Sequence, residues 1–304
     1  MRFNPKARLD TSRMGDAGRG SRVGGCGGGI PIPGGAAGGG IGTLIIVAIV
    51  VVVSLWLGGG SDGGGQATDT DTDRYGQCES GEDANSSADC ARVAVENSLT
   101  DYWSDTLPAQ SSTAFQPERE IRTFTGGVST GCGAATADVG PFYCPTDQTI
   151  YLDTTFFDDV LEQQLGGPDG GFVEAYVLAH EYGHHIQNLL GTMGKVKTQQ
   201  GPKSDAVRLE LQADCYAGMW AKAASSTQDV DGVTIFESLT DEDIQLAIEA
   251  ATTVGDDRIQ ESSGGDVDPE SWTHGSAKSR VKWFRTGYTE GTIEACDTFA
   301  PGAL

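Results

Sequence analysis

Residues 172–191, "FVEAYVLAHEYGHHIQNLLG", decide how this chain is read. Phe172, Tyr176, Ala179, Gly183, Ile186 and Leu190 recur at steps of three or four, the period of a helix with one apolar stripe, and Gly191 is a natural stop. Three of the chain's four histidines lie in this helix. His180 and His184 are four residues apart, so both imidazoles project from one face and can grip a single metal ion. Glu181 lies beside them, within reach of a metal-bound water but angled away from direct ligation. A polar helix face that holds two histidines by accident is the plain alternative. His185 points about 100° around the helix from His184 and reads as a supporting or exposed residue.

A catalytic zinc ion needs a third protein ligand and an open position for water. "ELQAD" at 210–214 offers one, because Glu210 and Asp214 are also four apart on a predicted helix over 206–224. The other face of that helix (Leu209, Ala213, Tyr216, Ala217, Trp220) is apolar. Ser204 or Asp205 can cap its start. Acids on the buried side of a helix need partners, and a metal with its histidine shell provides them. Two solvated acids pairing with Arg208 or Lys222 are the alternative, and these residues alone leave both open.

Working outward, residues 89–107 space Val93, Val95, Leu99, Trp103 and Leu107 as an amphipathic helix. Residues 127–148 are rich in Gly, Thr, Pro and Asp and read as loops and short strands. "TIYLD" at 149–153 has strand composition and is the expected edge strand. A short helix follows from Thr154 or Thr155, stopped by Gly166, Gly167 and Pro168, and 240–253 and 276–288 give two more. The expected fold class is α+β, mostly helical, with a small β-sheet.

Two Gly-rich stretches, 15–40 and 58–73, are too poor in apolar groups to fold. Between them "IGTLIIVAIVVVVSLWL" at 41–57 carries no charge, at the short end of what spans a bilayer. Arg2, Lys6, Arg8, Arg13, Arg19 and Arg22 precede it against two acids, Asp10 and Asp16. The positive-inside rule then makes 1–40 a disordered cytoplasmic tail, 41–57 a transmembrane helix, 58–73 a flexible linker and 74–304 an extracytoplasmic domain of a single-pass membrane protein. A cleaved signal peptide fits less well, since the n-region is long and no small-x-small site directly follows "SLWLGGG". Asp69, Asp71 and Asp73 do not make a calcium loop, because Arg74 and Ser80 stand where its Gly and its final acid belong. No Gly cluster is followed by the GKS or GKT of a phosphate-binding loop.

The chain carries 20 Lys+Arg against 43 Asp+Glu, a net charge of -23. A surface of that sign repels phosphate backbones, so nucleic acid is excluded as a partner of the main domain. Cys26 alone precedes the apolar run, whereas Cys78, Cys90, Cys132, Cys144, Cys215 and Cys296 follow it. Six cysteines in an oxidising compartment imply three disulfides, for which fifteen pairings exist. Two short loops and a long clasp (78 with 90, 132 with 144, 215 with 296) are the expected set. No CxxC occurs, which argues against a structural zinc site built on cysteine.

"HEYGH", followed 26 residues after His184 by "ELQADCYAGMW", resembles the bacterial membrane-anchored neutral zinc metallopeptidases. The likeness runs from about Tyr75 to Phe299 through "GPFYCPTDQTIYLD", "THGSAKSRVKWF" and "CDTF". "ELQAD" is also similar to the Glu-x-x-Ala-Asp of the wider gluzincins, which include CAAX prenyl proteases and heat-shock membrane proteases. The resemblance implies a zincin-like catalytic domain with one catalytic Zn2+ held by His180, His184 and Glu210. Asp214 would orient a ligand histidine. His274 and Arg280 of "THGSAKSR" would face the cleft and stabilise the tetrahedral intermediate. Gly275 stands where those relatives have Pro, which puts the local loop shape in question.

The function expected on this reading is a zinc endopeptidase in which Glu181 serves as general base toward a peptide or protein substrate. A membrane-anchored, zinc-binding but non-catalytic module of the cell envelope is the competing class. A structural envelope protein and a zinc amidase acting on cell-wall peptides are further variants.

Overall fold

The computed structural model describes residues 1–19, 72–136 and 139–304. Short strands β1 (Arg2–Phe3) and β2 (Met14–Arg19) open the chain. The short helix α1 (Gly81–Ala84) and the long α2 (Ala88–Gln110) follow. Next come β3 (Glu120–Thr125), the hairpin β4 (Gly127–Thr130) and β5 (Gly133–Thr136), β6 (Phe142–Cys144) and β7 (Thr149–Asp153). After a π-helical turn, Phe156–Glu162, the helices α3 (Gly171–Leu189) and α4 (Asp205–Ala223) carry both motifs. Strand β8 (Phe236–Ser238) and helices α5 (Asp241–Thr253), α6 (Asp256–Ser262) and α7 (Ala277–Glu290) complete the order.

One four-stranded sheet, ordered β2-β3-β7-β6, supports the helices. β3 and β7 are parallel, with Ile121 opposite Ile150, and β6 runs antiparallel to β7, with Tyr143 opposite Ile150. "TIYLD" is therefore β7, an interior strand paired on both sides, and not the expected edge. The edge nearest the helices is β6. The main core gathers the buried stripe of α2 (Val93, Leu99, Trp103, Leu107), α3 (Phe172, Tyr176, Ile186) and α4 (Leu211, Tyr216, Trp220). Trp103 is fully buried and meets Tyr216 edge-on at 5.4 Å; truncating such a buried side chain to Ala costs about 3–5 kcal/mol.

Glycine sets how closely the helices approach. A Cβ on Gly183 of α3 would lie 3.1 Å from the Ala213 backbone of α4. At the crossing of α4 and α7 the contact is reciprocal: a Cβ on Gly218 would meet the Phe284 carbonyl at 2.0 Å, and one on Gly287 the Cys215 carbonyl at 1.8 Å. These approaches bring three helices to one point. Disulfides join Cys78 to Cys90, Cys132 to Cys144 and Cys215 to Cys296. The first ties the entry of α2, the second ties β6 to the hairpin, and the third clasps the C-terminal segment to α4.

The N-terminal reading needs correction. Residues 1–19, expected to be the start of a disordered tail, form β1 against β8 and β2 parallel to β3 in the main sheet. Three of the cations taken as a cytoplasmic flank are paired with acids of the domain: Arg2 with Glu237 at 2.7 Å, Arg8 with Asp231 at 3.0 Å, Arg13 with Glu96 at 2.7 Å. Thr72, just beyond the undescribed stretch, returns to Asp16, its N–H donating to the Asp16 carbonyl at 3.1 Å. A segment sharing a sheet with residues 120–125 shares their compartment, so a cytoplasmic N-terminus with the domain on the opposite side of a bilayer is overturned. The transmembrane part of the expected fold is likewise not found: among the described residues no helix is long and apolar enough to cross a membrane. The apolar span 41–57, and residues 20–71 generally, lie outside the described residues.

Candidate metal centre

Helix periodicity on α3 and α4 places the expected ligands face to face. His180 Nε2 lies 3.1 Å from Glu210 Oε2, and His184 Nε2 lies 3.3 Å from Glu210 Oε1. One ligand atom from each of the three falls within 4.8 Å of the others, and all three residues are buried. Arg208 and Lys222, the rival partners of the two acids, reach instead to the backbone carbonyls of Thr298 and Thr289.

The other ring nitrogens fix the tautomers. Gln187 Nε2–H donates to the Leu209 carbonyl at 2.7 Å, so its Oε1 faces His184 Nδ1 at 2.8 Å as an acceptor. His184 Nδ1 therefore carries the hydrogen, and its Nε2 lone pair is left for Glu210's side of the cleft. His180 Nδ1–H donates to Asp214 Oδ1 at 2.9 Å with the same consequence. Once their Nε2 atoms are deprotonated for a metal, two imidazoles and one carboxylate are a three-ligand donor set suited to zinc, and the fixed outer partners orient it.

Asp214 is the hub of that support. It accepts from the Tyr176 hydroxyl at 2.6 Å and from Arg280 Nε and Nη2 at 2.8 and 2.9 Å. Burial pushes its pKa up, but the Arg280 charge and the His180 hydrogen bond outweigh this and bring it to about 2. Burial alone would lower His180, yet the hydrogen bonds and charges of Asp214 and Glu210 raise it to about 10. Glu210 moves the opposite way, well below the carboxylate range, because both histidines outweigh its burial. The common cause is a pocket that stabilises positive charge where the ligand atoms converge.

Glu181 is buried beside them, and burial raises its pKa while the neighbouring histidines pull it down. A cavity of about 120 Å3 opens over these groups, lined mainly by apolar side chains such as Val139, Phe142, Val177, Met193 and Leu209. His274 and Arg280 also line it. His274 Nδ1 faces Asp256 Oδ1 at 3.2 Å and Thr273 Oγ1 at 3.0 Å, leaving Nε2 as the nitrogen they do not engage. Asp256 Oδ2 receives the backbone N–H groups of Thr273, His274 and Gly275 at 2.7–2.9 Å. Gly275 has φ +93°, a value closed to proline, which also lacks the N–H used here. The loop is built for Gly at that position.

Arg280 lines the cavity, as expected, but its Nε and Nη2 are committed to Asp214 and its Nη1 donates to the Val254 carbonyl at 3.2 Å, so these hydrogen bonds support Asp214. His185 is fully buried, not exposed, and burial lowers its pKa to about 4. No pattern in the sequence points to Gln187, Tyr176 or Asp256. Tyr176 reads as one more apolar-stripe residue, and Asp256 is joined to His274 through loops whose spacing has no period.

A family model described as "Putative neutral zinc metallopeptidase" matches residues 3–299, and the chain belongs to that family. The chain is 50% identical over 230 residues to the uncharacterized protein Rv2575 of Mycobacterium tuberculosis (strain ATCC 25618 / H37Rv), covering 75% of this chain and 76% of that one. It is 40% identical over 205 residues to the uncharacterized protein YpfJ of Escherichia coli (strain K12), covering 66% and 67%. No solved structure matches. The family match begins inside the N-terminal segment that the sheet incorporates.

Proposed function

We propose that this member of the neutral zinc metallopeptidase family is a zinc-dependent endopeptidase that cleaves peptide or protein substrates with Glu181 as general base. The observation that carries the reading is the convergence of His180 Nε2, His184 Nε2 and Glu210 beside a buried Glu181. His180, His184 and Glu210 would hold the ion. When bound, zinc supplies Lewis acidity toward a water and toward the scissile carbonyl.

The remaining work falls to side chains of the chain. Glu181, its carboxyl raised by burial, takes the proton of the attacking water and returns it to the leaving amine, which requires a pKa near the working pH. Asp214, held ionised by Arg280, keeps His180 in the tautomer that offers Nε2. His274, fixed through Nδ1 by Asp256 and Thr273, turns Nε2 to the cavity, and as the imidazolium, with both ring nitrogens protonated, it donates to the developing oxyanion. The apolar lining excludes water, and the edge of β6 offers an extended peptide main-chain pairing.

The test uses the full chain, because residues 1–19 belong to the sheet. Zinc is quantified and casein digestion followed for wild type and Glu181→Gln. One zinc per chain in both, with hydrolysis falling by roughly 10²–10⁴-fold or more in the variant, supports the reading. Equal digestion by both proteins refutes it. Zinc without digestion in the wild type would favour a non-catalytic binding module. Muropeptides assayed beside casein separate peptidase from amidase.

A further inference from the structure

His185, the one histidine of "HEYGHH" outside the ligand set, is completely buried on another side of α3. Its ring joins two separate segments. Nε2–H donates to the Gln116 carbonyl at 2.8 Å, and Nδ1 lies 3.1 Å from the Tyr143 hydroxyl. A carbonyl oxygen only accepts, so Nε2 carries the hydrogen. Asn188 Nδ2–H donates to the same hydroxyl at 2.9 Å, which leaves Tyr143's own hydrogen for His185 Nδ1. The three groups thus form one hydrogen-bonded network, and the rings of Tyr143 and His185 pack edge to face at 5.5 Å.

Tyr143 is the central residue of β6, the free edge of the sheet beside the cavity. Opposite Ile150, its side chain turns toward α3. The strand is therefore tied to α3 by the Tyr143 side chain, at His185 and Asn188, one and two turns beyond Glu181. The Cys132–Cys144 disulfide anchors the next residue of the strand to the β4–β5 hairpin. Nothing in the ligand set requires these ties. They determine the separation between the sheet edge and Glu181.

We propose that His185 is a positioning residue: through Tyr143 it holds edge strand β6 at a set distance from Glu181, so that a peptide laid along β6 meets the water Glu181 activates. The catalytic consequence rests on the peptidase reading above; the structural consequence does not. An error of about 1 Å in such an alignment costs on the order of 10²-fold in rate.

The experiment compares zinc-loaded wild type, His185→Ala, Tyr143→Phe, the double variant and His185→Asn, each as the full chain. On casein peptides, His185→Ala and Tyr143→Phe should each lower kcat by about tenfold or more at unchanged zinc per chain. The double variant should be no slower than His185→Ala, since both changes break one link. His185→Asn, whose Oδ1 occupies the place of Nδ1 and accepts the same hydrogen bond, should recover most of the rate. Additive losses, a Tyr143→Phe rate equal to wild type, or a decline that follows lost zinc would overturn the proposal.

A second readout needs no turnover. In Tyr143→Phe, amide hydrogen exchange at position 143 should accelerate by about tenfold through local opening, with 149–153 unchanged. Unaltered exchange at 143 overturns the proposal even if wild type proves inactive. Inactivity of zinc-loaded wild type counts against the peptidase reading alone.

Discussion

Asp214 touches none of the reacting atoms, yet four donors on three side chains meet at its two oxygens. Replacing it with Asn keeps one acceptor but turns an NH2 toward His180 Nδ1 or Arg280, where a donor already points. Zinc affinity should fall roughly 10–100-fold, the usual consequence of losing an outer partner of a ligand histidine, as measured by chelator competition. Affinity equal to wild type would remove Asp214 from the site. This residue was legible in the sequence for the same reason as His180, Glu181, His184 and Glu210: each pair sits at i, i+4 on a helix of evident period. Gln187 and Asp256 were not, because the one is a neutral amide whose role depends on an α4 carbonyl, and the other reaches His274 across a loop. Gly275 supplies a sharp check on that loop. Gly275→Pro demands a negative φ and removes an N–H from Asp256, so it should destabilise by about 3 kcal/mol or more, read as a lowered unfolding midpoint.

Single elements were predicted well where a period existed; their mutual packing was not. The helix expected over 206–224 is α4, Asp205–Ala223, but no spacing announces that Gly218 and Gly287 let α4 and α7 cross with each backbone against the other. That crossing delivers Arg280 to Asp214. Gly287→Ala puts a methyl where the Cys215 carbonyl lies, and such overpacking costs typically about 1–3 kcal/mol. Alanine also favours the helix by up to about 1 kcal/mol over glycine, which makes the sign informative. A net fall in Tm together with weakened zinc binding is expected, since α7 must shift and take Arg280 with it. A rise in Tm would mean that helix propensity wins and that the close approach is dispensable. The edge strand failed as an expectation for a related reason: "TIYLD" and "FYC" both look like strands, and only pairing decides which lies outside.

At the scale of the molecule, the first nineteen residues read as a tail because they are Gly-containing, charged and weakly periodic, and they fold because the domain supplies their partners. Arg13 is the strongest tie. Its Nε lies 2.7 Å from Glu96 Oε1 and 3.9 Å from Glu118 Oε1, two acids with fully buried side chains. Burial first, and the Glu96 charge second, push the Glu118 carboxyl well above its ordinary 4.5, with Arg13 opposing. A carboxyl whose folded pKa is raised binds its proton more tightly in the folded chain than in the unfolded one. Its contribution is therefore most favourable below pH 4.5 and is lost as pH climbs from there toward the folded value. Glu118→Gln, which cannot ionise, should remove that component, so that Tm exceeds wild type at pH 8 and the two converge near pH 4.5. Arg13→Ala acts in the other direction by leaving the buried acids without their cation, a loss of about 3–5 kcal/mol, and it should steepen the decline with pH. Combining Arg13→Ala with Glu118→Gln should recover part of the loss at pH 8, because one carboxylate then remains unpaired instead of two. Thermal unfolding of the four proteins across pH 4.5–8 checks the set. If Glu118→Gln lowers Tm at pH 8, Glu118 is ionised and well paired in the folded chain, and the N-terminal segment is held by some contact other than this shared charge.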